Sequence, residues 1–255
     1  MRVFDTTYDY KSDKPAKTRP DADRDSRRLR SDHELLWTKT LASGVLFAPT
    51  APPARRTGYL IFTDPTGSKH WYGSDAITNS YARWSRPRTL VQAISGLTDE
   101  QKSRYLNLPY TIGSSMIWPV RKNDRPTMNT ARGFGASGWL IGDRMDLTLE
   151  CIRRHYGGEP ESPLAGVINA YADFFALFDG FAEFVDFFHL QDLVTPAYDE
   201  VLFHLPFTGF TGSGLPATTA EYVAYREATL EFIERRSHRM AKWVTDSHPE
   251  IEVLQ

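Results

Sequence analysis

Residues 127–156, TMNTARGFGASGWLIGDRMDLTLECIRRHY, run a glycine-rich, arginine-marked loop straight into a strongly patterned helix, and the reading of that junction decides the rest of the chain. Ile141, Met145, Leu149, Ile152 and Tyr156 recur at helical spacing, which is one buried apolar stripe. Arg144, Thr148, Cys151 and His155 form a second stripe, and Asp143, Asp146, Glu150 and Arg154 a third. The third reads as a solvated face with a Glu150 to Arg154 pair worth ~0.3 kcal/mol.

Downstream the pattern stays helical. Ser162 and Pro163 open a helix whose apolar face is Leu164, Val167, Ile168, Tyr171, Phe174, Phe175 and Phe178. Asp179 and Gly180 stop it, and Phe181, Phe184, Val185 and Phe188 carry a third, making an αα-hairpin. A last helix starts at Thr218, with Glu221 three residues on as a capping box. Upstream, GYLIFT and KHWYG flank the turn DPTGS as a β-hairpin, YTIGSSMIW reads as a third strand, and EVLFHL as a fourth. LVQAISGLTDEQKSRYL is a helix interrupted near Gly96, and Asp32 is the expected N-cap of a short helix containing Leu35, Leu36 and Trp37.

The fold class is therefore α+β: a small, mostly antiparallel sheet from the N-terminal half plus one later strand, packed on a C-terminal helical bundle. Residues 1–32 read as a polar arm, mobile or wrapped on the surface; 33–245 as a single α+β domain; 246–255 as a tail.

At 255 residues the chain can bury a core without metal or disulfide staples, and its 30 Lys plus Arg against 32 Asp plus Glu argue against broad electrostatic capture of nucleic acid. The lone cysteine, Cys151, excludes an intrachain disulfide and any multi-cysteine metal site. The N-terminus lacks the apolar core of a signal peptide, and no window approaches the roughly 18 consecutive apolar residues of a membrane span. These features predict a cytoplasmic protein with no membrane partner, no metal and no cofactor.

The glycines Gly133, Gly135 and Gly138 before a helix are the kind of element that lets backbone N–H groups approach an anion, and Arg132 adds a planar donor. Named nucleotide motifs do not fit: a P-loop requires Lys then Ser or Thr where Trp139 and Leu140 stand, and a dinucleotide fold requires a second parallel strand where aromatic helices follow. The alternative is a loop whose glycines only make turns. On the helix, Arg144 and His155 are the catalytic candidates, since guanidinium neutralises phosphate charge and imidazole titrates near neutral pH. Arg132, Asn129 and Arg154 are the ligand-binding candidates. Cys151, in mid-helix without a helix N-terminus to stabilise a thiolate, reads as a buried small hydrophobe, and His155 is equally placed to cap carbonyls. Arg27, Arg28 and Arg30 are offset by Asp21, Asp23, Asp25 and Asp32; DADRD lacks the glycine and distal glutamate of a calcium loop. SDAITNSY offers Ser74, Asp75, Thr78, Asn79 and Tyr81 beside Trp71 and Tyr72, as a polar site or a helix cap.

The segments FDTTYDY, LLWTK, YTIGSSMIWP, MNTARG, DRMDLTLECIRRHY, SPL, YADFFALF and VDFFHLQDLV occur in an order that resembles a bacterial family classed only as a domain of unknown function. The resemblance spans roughly residues 1 to 240 and implies no activity. The family's pattern passes from ARG to DR through a shorter segment, so FGASGWLIG reads as a local insertion, which shifts weight from the glycines to Arg132, Asp143, Arg144, Glu150, Arg153 and Arg154. Two functions follow. One is a metal-independent enzyme acting on the phosphate of a nucleotide or nucleic acid, with a nucleotide or RNA as its ligand, toxin-like or phage-defence by analogy. The other is a non-catalytic binding or regulatory module with a protein partner, in which the Arg/Asp cluster is a structural ion-pair network.

Overall fold

The computed structural model describes residues 2–13, 21–52, 59–120, 126–133, 138–159 and 161–255. The chain starts with β1 (Val3–Asp5), then short α1 (Ala22–Asp25) and α2 (Arg27–Trp37). Ser26, not Asp32, caps α2 by accepting from the Leu29 N–H, and Asp32 lies inside the helix, buried, accepting from Tyr10 Oη at 2.7 Å. β2 (Lys39–Thr40) and β3 (Leu46–Phe47) pair antiparallel.

The principal sheet is β4 (Tyr59–Thr63), β5 (Lys69–Ala76) and β6 (Ser115–Val120) in that order, antiparallel throughout, with Tyr72 opposite Leu60 on one side and Pro119 on the other. Gly67, at φ +88°, closes the expected β4–β5 turn in the left-handed region that glycine enters without strain. Although β6 is an edge strand, Met116, Ile117 and Trp118 are all buried, because helices cover it; Pro119 removes one edge donor. Between β5 and β6, α3 (Arg88–Ser95) ends at Gly96 and α4 (Asp99–Leu106) begins from a Thr98–Gln101 capping box, the interruption expected near Gly96.

Helices follow: α5 (Met128–Arg132), α6 (Gly138–Ile141), α7 (Met145–Tyr156), α8 (Ala165–Ala170), α9 (Ala172–Phe175), α10 (Phe181–Phe187) and the long α11 (Thr219–Ser247). The Thr218–Glu221 capping box opens α11 as expected. Phe174, Phe178, Phe184 and Phe188 pack edge-to-face or tilted at the centre of the main core. A smaller cluster, with Tyr81, Leu90, Tyr105 and Tyr222, joins α3, α4 and the start of α11.

The protein is α+β with small sheets, and the structure corrects three details. EVLFHL forms no strand; Val201 makes only an isolated bridge to Val194. The expected tail supplies β7 (Glu252–Leu254), which pairs in parallel with β1. The expected polar arm is built into the body: Phe4, Tyr10 and Leu29 are core residues, while residues 14–20 lie outside the described set. A few apolar side chains in a charged background suffice when the partner strand comes from the other end of the chain.

Candidate functional site

The loop before α7 uses its charges internally. Arg132 is fully buried: Nε donates to Thr148 Oγ1 at 2.9 Å, Nη1 to Asp75 Oδ2 at 3.1 Å and to the Ala76 carbonyl, and Nη2 to the Ile77 carbonyl at 2.9 Å. Its guanidinium lies 5.2 Å from the Trp118 ring. Asp143 follows Gly142, both at positive φ, and receives the Asn79 amide at 3.2 Å. Arg144 caps α7 while its side chain grips Asp146 through Nε and Nη2, and its Nη1 donates to the Gly214 carbonyl at 2.8 Å. Burial by itself would raise the Asp146 carboxyl, but Arg144 and the His204 backbone N–H hold it below the ordinary range.

The third stripe of α7 is therefore not a solvated face. Asp146 and Glu150 are buried, and Glu150 accepts from Arg154 Nε at 2.7 Å and from both Arg153 Nε and Nη2. Arg154 also covers the Phe210 ring at 5.1 Å. Cys151 is fully buried and burial pushes its thiol up to about 12, the packing role expected of it. His155, three turns or about 16 Å of helix beyond Arg144, lines a separate cavity of about 200 Å³ with Ser162 and Asn169; burial lowers its pKa.

The glycines serve packing. A Cβ on Gly138 would lie 1.7 Å from the Gly133 carbonyl oxygen, and one on Gly133 would lie 3.0 Å from Asp143 Oδ1. These two glycines let α5, α6 and the Asp143 carboxylate close on one another; Gly135 lies outside the described residues.

A cavity of about 570 Å³ opens elsewhere, beside β5. Its described lining includes Asp23, Ser74, Asp75 and Asn129, with Tyr59, Arg24 and Asp21 around them. Arg132 reaches it only through Asp75, whose side chain is 24% exposed. Burial pushes the Asp75 carboxyl well above the ordinary range, with Arg132 opposing and Asp143 and Asp23 adding to the rise. Asp23 accepts from Tyr110 Oη at 2.6 Å; burial raises its pKa against that bond and one from Ser74.

Behind the cavity runs a buried relay. Trp37 Nε1 donates to His33 Nδ1 at 2.9 Å, which assigns the imidazole proton to Nε2, facing Ser74 Oγ at 2.9 Å and Ser115 Oγ at 3.2 Å. Burial drops the His33 pKa to about 3, so the ring stays neutral and orients Ser74. Asn129 Oδ1 is shielded from solvent and has no hydrogen-bond partner, an acceptor of the kind a bound ligand satisfies.

Of the expected site residues, Asn129 lines this cavity, Arg132 stands one residue behind it, and Arg144, Arg154 and His155 lie away from it. Asp23 and Asp75 carry weaker signals in the sequence. Asp23 sits in a charged run that reads as solvated, while Asp75 was visible as one of the polar groups of SDAITNSY; no helix starts there before α3, which leaves that segment free to line cavities. Among the described residues no group of three or more His, Cys, Asp or Glu is placed to hold a metal ion, and no helix is long and apolar enough to cross a membrane.

The family model described as "Family of unknown function (DUF6994)" matches residues 4–240, and the chain belongs to that family. No curated protein and no solved structure matches it.

Proposed function

We propose that this member of the family of unknown function binds a small neutral or cationic molecule bearing hydroxyl or amine groups in the Asp23–Asp75 cavity and acts on it by acid–base chemistry. The observation that carries the reading is two carboxyls in unequal surroundings on one cavity wall. Burial raises both carboxyls: Asp75 against its ion pair with Arg132, with Asp143 and Asp23 adding to the rise, and Asp23 against hydrogen bonds from Tyr110 and Ser74, an arrangement suited to an acid–base pair. Asn129 Oδ1 awaits a donor, as a ligand hydroxyl or ammonium would supply.

Phosphate is disfavoured at this cavity. Asp21, Asp23 and Asp75 outnumber Arg24 in the described lining, and the N–H groups of Arg132 and Arg144 end on protein acceptors. The ion-pair cluster around α7 supports the structural-network reading for those arginines, with the network acting as the scaffold that presents Asp75.

A thermal-shift panel of polyols, amino sugars and polyamines, run beside nucleotides and inorganic phosphate, tests the reading. A ligand at 100 times its Kd adds about 2.7 kcal/mol. The expected result is stabilisation by a hydroxyl- or amine-bearing probe that is lost in Asn129→Ala and in Asp75→Asn. Stabilisation by nucleotides alone, or a response indifferent to both substitutions, overturns it.

A further inference from the structure

The protein buries four arginines, Arg132, Arg144, Arg226 and Arg236, among the described residues, and they are not equally satisfied. Arg132 and Arg144 meet carboxylates. Arg236 meets three carbonyls, those of Phe188, Gly113 and Ser115, at 2.8 to 3.1 Å, and leaves only its Nη2 without a partner. Arg226 is 1% exposed and makes only two long bonds, both from Nη1, to Thr78 Oγ1 at 3.4 Å and to the Asn79 carbonyl at 3.3 Å. Its Nε has no partner, and no described carboxylate lies within ion-pair distance. The Tyr225 ring, 5.9 Å away, is at the outer edge of a cation–π contact.

A buried cation so poorly matched is costly unless something else neutralises it. Arg226 lines a pocket of about 210 Å³, with Thr78, Asn79, Ser80 and Lys11 also on its wall. Exposed Lys11 brings a second positive charge, its Nζ donating to the Leu108 carbonyl at 3.0 Å. The fixed fork of a guanidinium matches two oxygens of one anion, and Lys11 and Ser80 share the pocket wall with it.

We propose that this pocket is an oxyanion subsite: Arg226 takes the phosphate or carboxylate group of a ligand, and Lys11 draws it in. The subsite is distinct from the Asp23–Asp75 cavity and does not rest on the reading given to it. Tyr110 stands between the two, lining this pocket while its hydroxyl bonds to Asp23 in the other. Opposite charge preferences therefore lie on either side of one tyrosine.

The test is thermal shift and calorimetric titration of the full chain with sodium phosphate and with sodium acetate, against chloride at matched ionic strength. The expected result is saturable stabilisation by at least one of the two anions. Phosphate alone assigns a phosphoryl group; acetate, with or without phosphate, extends the assignment to carboxylates. Arg226→Met weakens binding by roughly tenfold or more, the scale of charge-assisted hydrogen bonds. Lys11→Gln, at an exposed position with little folding risk, weakens it by a smaller factor and keeps the proposal falsifiable if Arg226→Met does not fold. Titration of the wild type indistinguishable from chloride overturns the proposal, as does undiminished anion binding in either variant.

Discussion

On the loop and helix around α7, buried arginines end on carboxylates: Arg132 on Asp75, Arg144 on Asp146. On α11 the equally buried Arg226 and Arg236 have none, and end on carbonyls and a hydroxyl. The difference shows that burial of a cation is not in itself a sign of a site. What separates scaffold from binding group is the account of partners, which is closed for Arg144 and open for Arg226.

The largest effect that comparison predicts is at Arg144. Arg144→Met strands the fully buried Asp146 with only the His204 N–H, and should cost ~3–5 kcal/mol. Arg236→Met leaves carbonyls, not a charge, without a donor and should cost ~1–3 kcal/mol. Urea denaturation of both variants checks this, and equal losses would break the distinction between the two regions.

The same contrast applies to carboxyls. Asp146 sits below its ordinary pKa, so its contribution is present above the ordinary carboxylate range and is lost as pH falls through the lowered value. Asp32 behaves oppositely: burial raises it to about 6, against Tyr10, Arg2 and Arg28. The folded state then holds a proton that the unfolded chain releases near pH ~3.9. Stability from Asp32 is fully present below that value and is lost as pH rises through about 6, by ~2–3 kcal/mol in all. The stability difference between wild type and Asp32→Asn, from urea denaturation at several pH values across that window, should shift against the wild type as pH rises; a difference constant with pH would mean that Asp32 does not titrate there.

Smaller effects sharpen the edges of the network. With Cys151 buried and its thiol pushed up to about 12, thiol reagents should label it only at the rate of unfolding; rapid labelling under native conditions would place it at a surface. Arg154→Ala should cost less than ~1 kcal/mol, because its side chain is a quarter exposed and Glu150 keeps Arg153. A larger loss would put Arg154 in the same class as Arg144.

Local chemistry accounts for what was legible in the chain. The Thr218–Glu221 box, the break at Gly96 and the glycine turn between β4 and β5 are decided within a few residues, and each appears where the sequence places it. The rows of phenylalanine through residues 174–188 had to face a core. The acidic stripe of α7 was misleading for a physical reason. Charges at helical spacing look the same whether they meet water or an arginine, and whether Asp146 is buried depends on Arg144 turning back onto it and on the chain near His204 and Gly214 folding over both.

The candidate site was legible only in pieces. Asn129 and Arg132 were visible as polar groups at a helix start, and Asp75 as part of a polar run. Nothing local ties Asp23 to Asp75, which belong to α1 and β5; Asp23 is held by Tyr110 and by Ser74, the β5 neighbour of Asp75.

By itself the sequence determined the α+β class, the helical character of the C-terminal half, the Thr218–Glu221 cap of α11 and the packing role of Cys151, since each depends on periodicity or on residues three or four apart; the start expected at Ser162 lies instead at Leu164, and that helix divides into α8 and α9. Only the tertiary structure decided that the N-terminal segment belongs to the body through β1 and β7, that the α7 arginines are spent on internal carboxylates, and that Arg226 is not. Electrostatic pairing is set by distance in space: Asp75 lies 57 residues from Arg132, and although Arg144 and Asp146 are neighbours in sequence, the pair is closed over by Gly214, 70 residues from Arg144, and by His204, 58 residues from Asp146.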